Sequence, residues 1–137
     1  MAIQVTLAFT NSSLKGRALD LARPGKYVLG RSSRCDIQLP NTLEFMEVSR
    51  HHCALAVTPF GLRVRDLGSR NGTFINDKPI GQRQVDDVPG ATDEAGWHVL
   101  EESDELRLGS TVLRVERFGL TAILRKEDAT AQAPEPV

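Results

Sequence analysis

At 137 residues, 40% hydrophobic and 26% charged, the chain suits one domain with a real core and has an ordinary globular composition. No apolar run reaches the length of a membrane-spanning helix, and MAIQVTLAFTNSS lacks the basic and continuous apolar regions of a signal peptide, so the expected location is the cytoplasm, with no membrane partner. A net charge of −1 gives no support to general nucleic-acid binding, and a monomer is expected.

Alternation of apolar and polar residues, the mark of half-buried strands, dominates the chain. Ile3, Val5, Leu7 and Phe9 alternate with Gln4, Thr6 and Ala8. Leu14, Ala18 and Leu21 have helical spacing, so residues 14–22 stay open between a short helix and an irregular strand. Cys53 to Val57 reads as a strand, turned by Pro59-Phe60-Gly61 into a return strand carrying Leu62 and Val64. Leu106 and Leu108 precede Gly109-Ser110, a two-residue hairpin turn, and Leu113 and Val115 complete that hairpin. Short strands with frequent turns predict an antiparallel sandwich or barrel. Residues 81–96 read as a long polar loop, and the Ala/Pro-rich end as a disordered tail from about residue 127.

The two cysteines, Cys35 and Cys53, are expected to be reduced. Charge is segregated. Residues 26–76 are rich in arginine, while residues 86–105 hold eight carboxylates and no Lys or Arg. Three turns place Gly or Ser beside Arg: Gly30-Arg31-Ser32, Ser49-Arg50 and Gly68-Ser69-Arg70. Any one of them suits a solvated turn. Should their tips meet at one end of a sandwich, planar guanidinium forks, serine hydroxyls and backbone N–H groups would together suit a dianionic phosphate.

Two other chemistries use the same residues. Ser49, His51, His52 and Asp66 are the residue types of a hydrolytic triad, but no nucleophile elbow is present. His51, His52 and Cys53 are metal-ligand types, but no second ligand pair has zinc spacing. The reading therefore includes no enzyme, cofactor or metal.

GRSSRCDIQLP, VSRHHC, LRVRDLGSRNGTFIN and ESDELRLGSTVLRV, in that order, resemble the forkhead-associated (FHA) domain across about residues 26–116. The resemblance implies an all-β antiparallel sandwich of about eleven strands (FHA/SMAD-like), occupying residues 1–118 with an extension over 119–137. It implies a non-catalytic module that binds phosphothreonine through loops at one end. A threonine-phosphorylated protein or peptide is the implied partner, a Ser/Thr kinase or its substrate the implied class, and an adaptor the implied role. The alternative is a scaffold of the same fold that binds without phosphate.

Carried over by residue, Arg31 and Ser49 would bond the phosphate, Arg70 would reach it, and Arg50 would hold the peptide at the rim. Asn71 would bond the peptide main chain. Gly30, His52, Gly68 and Gly72 would support the loops, and His51 would be dispensable. Two segments exceed the usual family spacing. Residues 41–48 would offer Phe45 and Met46 as exposed contacts, and the acidic content of 86–105 would favour Lys or Arg after the phosphothreonine.

Overall fold

The computed structural model describes residues 2–83 and 96–121. Eleven strands lie in that part of the chain: β1 (Ala2–Phe9), β2 (Ala18–Leu21), β3 (Gly25–Gly30), β4 (Ile37–Gln38), β5 (Cys53–Thr58), β6 (Gly61–Asp66), β7 (Thr73–Ile75), β8 (Lys78–Gly81), β9 (His98–Leu100), β10 (Glu105–Leu108) and β11 (Thr111–Thr121). They form two sheets, ordered β2-β1-β11-β10-β7-β8 and β4-β3-β5-β6-β9. Pairing is antiparallel except between β3 and β4. This is the sandwich, of about eleven strands, that the family resemblance implies.

The alternating residues face one another between the sheets. Val5 and Leu7 of β1, Leu55 and Val57 of β5, Leu62 and Val64 of β6, and Leu106, Leu108, Leu113 and Val115 of β10 and β11 are buried in a single cluster. Burying each such side chain stabilises the fold by roughly 1.5–3 kcal/mol. The open stretch at 14–22 resolves as a turn followed by β2, which pairs with β1 through Val5↔Leu21 and Leu7↔Leu19. Its helical spacing is a coincidence of loop and strand. The Gly109-Ser110 hairpin is present, with Gly109 at φ 60°. β11 runs past residue 118 to Thr121, paired with Ala2. Cys35 and Cys53 are free, buried thiols, and burial pushes both pKa values up. Much of the polar 81–96 stretch (84–95) and the Ala/Pro-rich tail lie outside the described residues. Among the described residues no helix is long and apolar enough to cross a membrane.

Strand direction sorts the connections to two ends. β6 ends at Asp66, and its start pairs with Leu100, so Glu101 and the residues after it sit at the end opposite Asp66. Asn76 and Asp104 are bonded there, Asn76 Nδ2 donating to Asp104 Oδ1 at 2.9 Å. The loops after β3, β4 and β6 gather at the Asp66 end.

Candidate functional site

Close backbone approach assembles the Asp66 end. Arg31 N–H donates to the Ser49 carbonyl at 3.2 Å, and Ser32 N–H to the Arg50 carbonyl at 3.0 Å. Only glycine fits at position 30, since a Cβ there would lie 2.1 Å from the Arg50 carbonyl oxygen. The loop after β6 joins the same corner, with Arg70 N–H donating to Ser49 Oγ at 2.9 Å. Because Oγ accepts that bond, its own proton is left to donate elsewhere.

His52 ties the loops from beneath. Ser49 N–H donates to His52 Nδ1 at 2.9 Å, and Nε2 lies 2.8 Å from the Gly72 carbonyl. A carbonyl only accepts, so Nε2 carries the proton and the ring is neutral. Burial pushes its pKa down, outweighing the Gly72 carbonyl and the Asp66 carboxylate, which raise it. With both ring nitrogens on backbone groups, His52 is not poised over a serine hydroxyl, and His51 is exposed. Among the described residues no group of three or more His, Cys, Asp and Glu could hold a metal.

The 66–73 turn is organised by one carboxylate. Asp66 Oδ2 accepts the N–H groups of Gly68 and Ser69 at 2.9 and 3.0 Å. Its Oδ1 accepts the hydroxyls of Ser69 and Thr73. Ser69 is fully buried, and its Oγ in turn accepts the Gly72 N–H at 3.0 Å. Gly68 and Gly72 adopt φ of 81° and 92°, which a side chain would disfavour.

Above this frame lies an open groove of about 610 Å³, lined by Arg31, Ser49, Arg50, His51, Arg70 and Arg83, with Val28, Leu67 and Met46 as its apolar part. Arg31 is oriented by Nε donating to the Val48 carbonyl at 2.5 Å and Nη1 to Asn41 Oδ1 at 2.6 Å. Its Nη2 group makes no bond among the described residues. Asn71 does not line the groove; its Nδ2 donates to the Glu47 carbonyl at 2.9 Å and so links two of the surrounding loops. An anion would find guanidinium forks and a free hydroxyl proton here, with no carboxylate lining the groove among the described residues.

Four of the five binding residues expected from sequence thus share one groove, while Asn71 does not line it and instead ties its loop to Glu47. Arg83 is the residue that sequence reasoning missed. It follows the β7–β8 hairpin back to the turn, where its N–H donates to the Ser69 carbonyl at 2.7 Å. One expectation is corrected. Phe45 is not an exposed contact, because the 3-10 turn Leu43–Phe45 rolls it inward to 1% exposure and leaves Leu43 outside. Glu101 to Glu105 do not border the groove, being at the far end of the sandwich, and the acidic residues 86, 87, 93 and 94 lie outside the described residues.

Residues 27–89 match the family model of the FHA domain. The ABC transporter ATP-binding/permease protein Rv1747 of Mycobacterium tuberculosis is 43% identical over 61 residues, 44% of this chain. The chain spans only 7% of the length of that curated relative. Among solved structures, one from a structural and functional analysis of phosphothreonine-dependent FHA domain interactions is 28% identical, with a TM-score of 0.63 over 85% of this chain and 99% of the other. The FhaA FHA domain complexed with the intracellular domain of Rv3910 is also 28% identical, with a TM-score of 0.60 over 82% and 99%.

Proposed function

This chain belongs to the FHA domain family, and from that premise we propose that it is a non-catalytic module that binds phosphothreonine in a partner protein and acts as an adaptor in Ser/Thr kinase signalling. The observation that carries this reading is the joining of Arg31, Ser49 and Arg70 at one corner of the groove, through the Arg31 N–H to Ser49 carbonyl and Arg70 N–H to Ser49 Oγ bonds. Arg31 and the Ser49 hydroxyl would bond the phosphate oxygens, with Arg70 reaching them from the opposite loop. Arg50 would hold the peptide at the rim, and Asn71 would present its Oδ1 to the peptide main chain. Gly30, His52, Gly68 and Gly72 would keep these groups in register. Val28, Leu67 and Met46 would receive the threonine methyl, which phosphoserine lacks.

A phosphothreonine brings about −1.5 to −2 charges and three acceptor oxygens. Charge-assisted bonds contribute about 1.5–3 kcal/mol each. Three or four of them, offset by the cost of ordering an extended peptide, give roughly −7 to −9 kcal/mol, or micromolar binding. Calorimetric titration with one peptide in its threonine, phosphothreonine and phosphoserine forms tests this. Phosphothreonine is expected to bind best and the unmodified peptide negligibly. Equal binding of modified and unmodified peptide would transfer the function to another face of the sandwich.

A further inference from the structure

Building on phosphothreonine recognition by the same groove, we propose that the site selects peptides carrying a second anionic group, a carboxylate or another phosphate, near the phosphothreonine, with Arg83 as the group that holds it. Four arginines line the groove, namely Arg31, Arg50, Arg70 and Arg83, and no carboxylate lines it among the described residues. One phosphothreonine neutralises about two of those charges at most. Desolvating the remaining guanidinium groups against a neutral or basic peptide would go uncompensated, so the surplus favours a peptide that is itself acidic.

Arg83 is the natural holder of that surplus. Its backbone is pinned beside the phosphate corner, with its N–H on the Ser69 carbonyl at 2.7 Å and the Gln82 amide on the Arg70 carbonyl at 2.6 Å. Its side chain is exposed, and no ion pair engages it among the described residues, where Arg107 and Asp77 form the salt bridge found. A guanidinium fork accepts carboxylate and phosphate with the same two-pronged geometry. The ligand is therefore defined by charge and a pair of acceptor oxygens, not by one residue type. This predicts the reverse of a preference for Lys or Arg after the phosphothreonine; Glu101, Glu102, Asp104 and Glu105 lie at the far end of the fold, and Asp86, Asp87, Asp93 and Glu94 lie outside the described residues.

The test is calorimetry on the whole chain with a neutral phosphothreonine peptide and its unphosphorylated form. Derivatives place Asp, phosphoserine or Lys at each flanking position in turn. At one or more positions on one side, Asp or phosphoserine is expected to tighten binding roughly five- to tenfold, and Lys to weaken it, with the gain shrinking as salt rises. In Arg83→Gln the ratio between second-anion and neutral phosphopeptides should fall below about twofold. A gain in the phosphoserine arm alone identifies a doubly phosphorylated peptide, and a gain in both arms an acidic motif; either supports the proposal. Phosphothreonine binding that is indifferent to Asp and phosphoserine at every position, or tightened by Lys, or a ratio unchanged in Arg83→Gln, overturns it while leaving phosphothreonine recognition intact. Should the neutral phosphopeptide bind no better than its unphosphorylated form, phosphothreonine recognition itself fails.

Discussion

The Ser49 hydroxyl accepts the Arg70 backbone N–H at 2.9 Å, so a single oxygen joins the loop after β4 to the loop after β6. The same oxygen keeps a proton to give to a ligand. Ser49→Ala should therefore weaken phosphopeptide binding at least tenfold while costing only about 1 kcal/mol of stability, because Arg70 is exposed and water can replace the lost bond. Arg31→Ala should weaken binding as much. Calorimetry with thermal unfolding separates the two quantities, and full affinity in both variants would remove the phosphate from this corner.

Asp66→Asn tests the frame beneath the groove. The carboxylate accepts two N–H groups and two hydroxyls, and an amide cannot accept all four. A loss of about 1.5–3 kcal/mol is expected, with faster hydrogen exchange at Gly68, Ser69 and Gly72. Unchanged exchange at those amides would show that the turn holds its shape without the charge.

The strands were legible because their side chains report directly on which face is buried. Val5, Leu7, Leu55, Val64 and Leu106 each stand at an alternating position and each lies in the core. β2 was less so, since Leu14 belongs to the loop while Ala18 and Leu21 belong to a short edge strand. The arginine turns were legible from their residue types and order. What joins them was not. Bonds such as His52 to Gly72 or Arg83 to Ser69 link residues distant in sequence, and no local pattern encodes them. Likewise, one turn of 3-10 helix presents Leu43 and Phe45 to different sides, and the residues alone do not say which is buried.

His52 predicts a pH dependence of stability. Its pKa is held below the ordinary value near 6.5 by burial, so the unfolded chain binds the proton more readily than the folded one. The sign follows: stability from this group is present above about pH 6.5 and is lost as pH falls below it toward the folded-state pKa, at a limiting slope of about 1.4 kcal/mol per pH unit. His52→Gln should be less stable throughout but should lack this component. Chemical denaturation of both proteins at several pH values gives the difference directly. Parallel curves would mean that His52 titrates alike in the folded and unfolded chain.

Gly30→Ala addresses the closest approach in the site. A methyl group there would meet the Arg50 carbonyl oxygen at 2.1 Å and the Ser49 carbonyl oxygen at 2.9 Å. Both are backbone atoms, so relief requires the loop after β4 to move away from Arg31. About 1–3 kcal/mol of destabilisation is expected. Phosphopeptide affinity should drop more than tenfold even at temperatures where the variant is fully folded, because Arg31 and Ser49 separate. Retained affinity in a folded variant would show that the two residues do not need this spacing.

Phe45 and Leu43 make a matched pair for the last expectation. Both lie in the 3-10 turn Leu43–Phe45, yet Phe45 is 1% exposed and Leu43 is 89% exposed. Truncating a buried phenylalanine removes both its transfer energy and its packing, so Phe45→Ala should cost about 3–5 kcal/mol. Leu43→Ala should stay within about 0.5 kcal/mol of the parent, as exposed substitutions do. The turn also leads into Val48, whose carbonyl orients Arg31. Phe45→Ala should therefore weaken phosphopeptide binding as well, although Phe45 does not line the groove. Denaturant titration and calorimetry on the two variants check both statements. Equal, small effects would place Phe45 at the surface, as the sequence alone suggests.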